Sequence, residues 1–469
     1  MNSSSPFRKK LAIYFIGFTA ALAGLLFGLD IGVISGAEGF IQKDFGIPDR
    51  MIELIVSALL WGAVLGALMS SYFSAHFGRR KTILMSAIVF VFGSVACAIA
   101  PNEYVLLGAR LFLGLAVGMA SFTAPLYLSE VSPQAVRGGM ISMYQLMITI
   151  GIVLAFLSNA WLASYANIGG VVGGHWRWML GVIAFPAAGM FIGVLFLPES
   201  PRWLCLKGLH DRAVGVFRRL HLDDAEIAAE VAEIEDSLKV KQNGFAFFRE
   251  NALFRKAVYL GIGLQIIQQL TGINVIMYYA PRIFNIAGFT STLDQMWGTV
   301  IVGVTNVLAT FIAIAFVDKL GRKPIMYAGF VTMGVAMVVV GVLFNIGVEA
   351  NKALAFPAIG ALLIFIIGFA MSAGPIIWVI CSEIYPLAGR DFGVMCSTGT
   401  NWVTNAIVGM TFLTMLSTLG NGNTFILYGA LNVIFIVVFM LFVPETKGVR
   451  LEQIEKHLLS GVPLRKIGR

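Results

Sequence analysis

Twelve separate stretches of about 20 apolar residues run through this chain, at 12–35, 52–74, 82–100, 104–128, 139–163, 178–197, 257–284, 297–317, 324–345, 356–382, 393–416 and 424–443. A hydrocarbon core about 30 Å thick is crossed by about 20 residues rising 1.5 Å each, so every stretch is long enough to span a bilayer. Lipid offers no partner to an unpaired N–H or C=O, and runs of this length therefore read as helices. The expected fold class is an all-α membrane protein with twelve transmembrane helices. Composition excludes a soluble domain: 58% of residues are hydrophobic and only 12% charged, far outside globular usage.

Lysine and arginine orient the spans. With a cytosolic amino terminus, the inside segments hold 27 of the 33 basic residues, so both termini are expected in the cytosol of a multi-pass inner-membrane protein. The net charge of +8 is then topology rather than a nucleic-acid footprint, and no nucleic-acid partner is expected. The first apolar run is too long for a signal peptide and lacks a convincing small-residue cleavage site. Four cysteines, Cys97, Cys205, Cys381 and Cys396, have no metal-ligand spacing, and neither a disulfide nor a metal site is expected. No phosphate loop or H-E-x-x-H motif occurs, so no cofactor, ATP hydrolysis or other enzyme chemistry is expected.

Two halves read alike. Gly78-Arg79-Arg80-Lys81 answers Gly321-Arg322-Lys323, Ser129-Glu130 with Arg137 answers Ser382-Glu383 with Arg390, and Pro198-Glu199-Ser200 answers Pro444-Glu445-Thr446, at offsets of 243, 253 and 246. Three matches in one order imply two related six-helix bundles, 1–197 and 257–443, followed by a tail, 444–469. Between the bundles, residues 198–256 carry ten basic and ten acidic side chains. Ser200-Pro201 reads as a helix cap, and Ile227, Val231, Ile234 and Leu238 form a helical apolar stripe. A cytosolic amphipathic helical linker fits that pattern better than a flexible one.

Asp30 lies inside the first span and Arg110 inside the fourth. Counted from span ends, they sit roughly 7 and 9 Å below the outer edge, on one level. Intramembrane charges pair or line a cavity, and an arginine beside a carboxylate holds it ionised until a proton breaks the pair. A proton-coupling device is one reading; a permanent structural ion pair is the other. On span seven, Gln265, Gln268, Gln269, Thr271 and Asn274 surround Gly272, a place for a broken helix and a substrate site. Amides suit a neutral polyol, having donors and acceptors without charge, although any one of them could serve as an interhelical bond. Gln145 and Asn306 add amides at compatible depths.

Flat rings stack on the C–H faces of sugars. Trp378 follows the Gly374-Pro375 break, and Trp402 lies roughly 15 Å into its span beside Asn401, whereas Trp176, Trp178 and Trp203 are expected in interfacial belts. The pairs Gly62 with Gly66 and Gly114 with Gly118 read as close-packing contacts. At the inner helix ends, Arg79, Glu130, Arg137 and Glu199 match Arg322, Glu383, Arg390 and Glu445. They read as anchoring charges singly and as an ion-pair latch together.

The stretches GLLFGLDIGVISGA, YLSEVSPQAVRG, PESPRW, QQLTGINVIMYYAP, DKLGRKP, GPIIWVICSEIYP and PETKG, within residues 12 to 460, resemble the bacterial sugar porters of the major facilitator superfamily, most of all the galactose/proton symporters, with arabinose and xylose symporters near. The resemblance implies the major facilitator fold and alternating access around a monosaccharide, by a transporter expected to be monomeric. It implies sugar contacts at Gln145, Gln268, Gln269, Asn274, Asn306, Trp378, Asn401 and Trp402, a proton pair at Asp30 and Arg110, and an outer gate at Tyr278 and Tyr279. One position departs: the aspartate the family carries three residues before its first Gly-Arg is Ala75 here, followed by His76, while the second copy keeps Asp318. A passive facilitator and, less readily, a sugar sensor remain as alternatives. The sugar itself stays open, since one hydroxymethyl group is worth only about 1 to 3 kcal/mol in a pocket.

Overall fold

The computed structural model describes residues 6–132, 134–165, 175–219, 224–239, 244–348, 352–449 and 451–468. Among these, regular structure is helical throughout. The first spans are α1 (Pro6–Phe45), α2 (Asp49–Phe77), α3 (Arg79–Ala98), α4 (Glu103–Val131) and α5 (Gln134–Ala163), followed by the paired α6 (His175–Gly181) and α7 (Ala184–Phe196). Four short helices, α8 (Pro201–Leu206), α9 (His210–Arg219), α10 (Asp224–Lys239) and α11 (Gly244–Glu250), fill the polar segment. The later spans are α12 (Ala252–Leu270) with α13 (Ile273–Ile286), α14 (Thr292–Leu320), α15 (Arg322–Ile346), α16 (Ala355–Met371) with α17 (Ala373–Ile384), α18 (Arg390–Gly409) with α19 (Phe412–Leu419), and α20 (Asn421–Phe442); α21 (Leu451–Leu459) lies in the tail. Among the described residues, eleven helical segments are long and apolar enough to cross a membrane, and twelve when the bent α18–α19 pair is one span.

Three spans are broken. Gly272 takes φ +97°, a left-handed value that favours glycine, and divides α12 from α13 where the sequence places a break. The break of span ten falls at Ser372 (φ −127°, ψ −90°), two residues before the expected Gly374-Pro375. The 42° bend between α18 and α19 was not expected. α1 also continues to Phe45, past residue 35 where the first apolar run was expected to end.

Glycines set the helix approaches. A Cβ on Gly62 or Gly66 would lie 2.1 or 2.2 Å from the carbonyl oxygens of Leu111 or Leu115, and one on Gly114 or Gly118 would lie 2.1 Å from those of Leu59 or Ala63. α2 and α4 therefore touch backbone to backbone, as the glycine spacing suggests. In the polar segment, the Ser200 side chain caps α8 by accepting from Trp203 N, with proline at the first turn; Val216, Phe217 and Ile227 are buried on α9 and α10. Trp178 is half exposed, but Trp176 is fully buried, with the Arg177 guanidinium 4.1 Å over its ring. It is a core residue rather than a belt residue.

The described helices group into two compact units. One holds residues 1–33, 58–155 and 176–241; the other holds 34–57, 156–175 and 242–469. The division cuts α1 between Val33 and Ile34 and α2 between Ser57 and Ala58. It therefore differs from the chain-order bundles of the repeat by the ends of α1, α2 and α5, which pack with the later helices.

Candidate functional site

In the first unit, Asp30 and Arg110 meet. Both are buried, 0% and 1% exposed, and Arg110 NH1 donates to Asp30 Oδ1 at 3.0 Å. The other carboxylate oxygen, Oδ2, has no hydrogen-bond partner among the described residues. A buried ion pair is stable only when its remaining lone pairs are satisfied, and this one leaves an acceptor open at its centre. Gln145, on α5 of the same unit, is exposed.

In the second unit, the break at Gly272 brings the amides together. Asn401 Nδ2 donates to Gln265 Oε1 and to Gln268 Oε1, both at 2.7 Å. Gln268 Nε2 in turn donates to the Ala373 and Gly374 carbonyls at 2.8 and 3.0 Å, in the first turn of α17 just after the break of span ten. Across the break, Asn274 Nδ2 bonds Gln269 Oε1 at 2.5 Å. Gln268, Gln269, Asn401, Trp402 and Asn306 are all buried, while Trp378 is 38% exposed. The hydrogen bonds thus unite Gln268 with Asn401 and Gln269 with Asn274; Asn306 sits apart on α14, its carbonyl taken by Thr310 Oγ1.

Tyr278 and Tyr279 follow on α13. Tyr278 Oη exchanges hydrogen bonds with the Asn405 amide, 3.0 Å from Nδ2 and 3.2 Å from Oδ1, and Tyr279 Oη donates to the Gly409 carbonyl at 2.8 Å. Both tyrosines therefore tie α13 to α18 just below its bend. Asn405 was not singled out from the sequence, yet it lies four residues after Asn401 on one helix face, a signal that could have found it. Gln265 belonged to the polar cluster without being assigned a sugar contact.

The helix ends that carry the repeated charges show one arrangement twice. In the first unit, Arg79 forks onto Glu130, Nε to Oε2 at 2.8 Å and NH2 to Oε1 at 2.9 Å, and Ser200 Oγ donates to Glu130 Oε2. In the second, Arg322 NH2 donates to Glu383 Oε1 at 3.0 Å and Thr446 Oγ1 to Glu383 Oε2. Glu199 Oε1 accepts from Arg80 N and Ser200 N at 3.0 and 2.9 Å; Glu445 accepts from Arg322 N, Lys323 N and Lys447 N at 3.1, 2.9 and 3.0 Å. Each carboxylate sits at the start of a span helix, where unpaired amides and the helix dipole favour an anion. Each network closes within its own unit. Arg390 donates from Nε to the Tyr385 carbonyl, and the side chains of Arg137 and Asp318 lie outside the described residues. At Ala75 the carbonyl accepts from Trp203 Nε1 at 2.9 Å, so α8 holds the position that lacks the family's aspartate.

Comparison with known proteins places this arrangement. The profile described as "Sugar (and other) transporter" matches residues 16–458. The galactose-proton symporter of Escherichia coli is 57% identical over 98% of this chain and 97% of its own length. The arabinose-proton symporter of the same organism is 50% identical over 97% and 95%. Among solved structures, the xylose transporter XylE from E. coli, in a partially occluded inward-open conformation, matches with a TM-score of 0.82 at 30% identity, over 93% of this chain and 99% of that one. A profile that spans nearly the whole chain, full-length relatives and a shared helical fold agree: the chain is a multi-pass membrane transporter and belongs to the sugar transporter family of the major facilitator superfamily.

Proposed function

We propose that this protein imports a monosaccharide, galactose foremost, together with a proton across the inner membrane by alternating access, with both termini in the cytosol. The observation that carries the coupling is the Asp30–Arg110 pair, whose second carboxylate oxygen is buried without a donor. A proton bound at that position neutralises the carboxylate that Arg110 holds. Alternation between arginine and proton is how such a pair reports the proton gradient to the helices that carry it.

The sugar binds, in this reading, to Gln145, Gln268, Gln269, Asn274, Asn306, Trp378, Asn401 and Trp402. The internal hydrogen bonds of Asn401 and Gln268 support that role, because a site whose amides are already oriented needs little reorganisation to receive hydroxyls. Tyr278 and Tyr279 close it on the outer side, and the networks around Glu130 and Glu383 latch the inner side. The identity with the galactose-proton symporter favours a hexose over a pentose.

Uptake of labelled galactose into proteoliposomes, with xylose and arabinose as competitors, tests this reading with and without an inward proton gradient. Accumulation above the outside concentration that collapses with a protonophore is expected, and Asp30→Asn is expected to abolish accumulation while leaving galactose exchange intact. Equilibration indifferent to the gradient in the unmutated protein would make it a passive facilitator and return the pair to a structural role.

A further inference from the structure

The start of α2, as far as Ser57, belongs to a different compact unit from the rest of that helix, and the side chains of its first turn explain why. Asp49 Oδ1 accepts from Arg282 NH1 at 2.8 Å and from Gln42 Nε2 at 2.7 Å, and Gln42 Oε1 accepts from Arg282 NH2 at 2.6 Å. These three residues form a closed ring that ties α1 and α2 to α13. One residue on, Arg50 NH1 donates to the Met410 carbonyl at 2.8 Å and pairs with Glu53 Oε2 at 3.1 Å. Glu53 accepts from Thr414 N at 2.8 Å and from Thr414 Oγ1 at 2.7 Å.

Geometry gives this turn two separate grips. Arg282 lies on α13 just after Pro281 and the non-helical Tyr279, and Met410 and Thr414 flank the bend between α18 and α19. Asp49 and Glu53, four residues apart, share one face of α2, so a single helical turn holds the outer segments of two broken spans. The Glu53 side chain is 0% exposed. A carboxylate is stable in that position only while donors face it, and three of its bonds come from the first turn of α19 and from Arg50. If α19 swings away, the Thr414 donors leave and water must replace them. Glu53 is therefore bonded in full only with the outer side closed.

We propose that the first turn of α2 is the outer clasp of the transport cycle, with Asp49 holding α13 and Glu53 positioning α19. The proposal uses the membrane orientation given above and is independent of which sugar is carried or whether a proton accompanies it. Removal of a hydrogen bond to a charged group shifts a two-state ratio by roughly tenfold or more, so Glu53→Gln is expected to move the population toward the outward-open state by about that factor.

The test is pulsed electron–electron resonance between spin labels at positions 43 and 417, both exposed, in the protein reconstituted in lipid without sugar. A longer distance population is expected in Glu53→Gln and in Asp49→Asn, together with a lowered KM and a lowered kcat for entry from outside, since the site opens more readily and resets more slowly. A merely structural role would lower kcat and leave the distances and KM alone. Thr414→Val, at an exposed position, removes one of the three donors to Glu53 while keeping the carboxylate and the Thr414 N–H in place, and serves if the acidic variants fail to fold. Unchanged distances in that variant and in Glu53→Gln would overturn the clasp while leaving the transport reading untouched. A failure of galactose uptake in the unmutated protein would do the reverse, because the distances are read without transport.

Discussion

Glu199 and Glu445 hold equivalent places in the two halves, yet their surroundings tune them in opposite directions. Burial pushes the Glu199 carboxyl above the ordinary glutamate range, ahead of the backbone amides that pull it down. Burial also acts on Glu445, but three backbone amides and the Arg322 charge outweigh it and leave that carboxyl below the ordinary range. The folded protein thus binds the Glu199 proton more tightly than the unfolded chain does. Its contribution to stability is present below the ordinary range and is lost as pH rises through the raised folded value. Glu445 contributes above the ordinary range and loses that contribution as pH falls through its depressed folded value. Between about pH 3 and 7, the melting-temperature difference between the unmutated protein and Glu199→Gln should shrink as pH rises, and that for Glu445→Gln should grow. Parallel curves for the two variants would show that the two sites are electrostatically alike. The residues themselves were legible in the sequence, because a repeat marks them; their opposite tuning was not, because three backbone amides face each carboxylate and the balance turns on how far distant segments bury it.

At the scale of the element, the broken spans decide what the site can be. Gly272 was readable because a glycine inside a polar cluster on an apolar helix has few structural uses. Its replacement by alanine places a Cβ 3.0 Å from Tyr428 Cδ1 and 3.2 Å from Met337 Cε on a backbone at φ +97°. Gly272→Ala is expected to cost about 1 to 2 kcal/mol from the left-handed backbone alone, read as a lowered unfolding temperature in detergent; an unchanged value would mean that the break relaxes freely. The bend at Met410–Thr411 escaped notice although Gly409 stands beside it, because a lone glycine in an apolar run is common and its neighbours continue the pattern. The clasp was hidden for a different reason. Asp49 and Glu53 near a helix start look like ordinary capping charges, and their partners lie 233 and 361 residues away, a separation that leaves no local trace. The length of α1 was misjudged because Ser35-Gly36-Ala37-Glu38-Gly39 reads as an ending, whereas Gly36 is where the Asn159 side chain packs against the continuing helix.

Across the whole molecule, the repeat seen as three short matches in the sequence becomes a similar arrangement of bonds built twice. The Arg79–Glu130 pair is largely buried, with side chains 10% and 4% exposed, and the Arg322–Glu383 pair is 11% and 17% exposed. Breaking a buried pair from one side costs about 3 to 5 kcal/mol, because the other charge is left behind. Double-mutant cycles with Arg79→Met and Glu130→Gln, and with Arg322→Met and Glu383→Gln, are expected to show coupling of about 1 to 3 kcal/mol in each half, measured by thermal unfolding. Coupling in one half alone would mean that the repeat preserves shape without preserving energetics. The fold class was open to the sequence for the same reason that the repeat was: bilayer crossing and charge placement are local and periodic. The grouping of the C-terminal ends of α1 and α5 and the N-terminal end of α2 with the later helices was not, since it depends on contacts between distant segments. The way Glu199 and Glu445 are held also bears on which changes each joint tolerates. Their donors are mostly main-chain amides, at Arg80, Ser200, Arg322, Lys323 and Lys447, and a substitution at any of those positions other than proline changes the side chain and keeps the amide. The two copies can therefore differ in side chain around each joint without losing the main-chain donors that hold its glutamate.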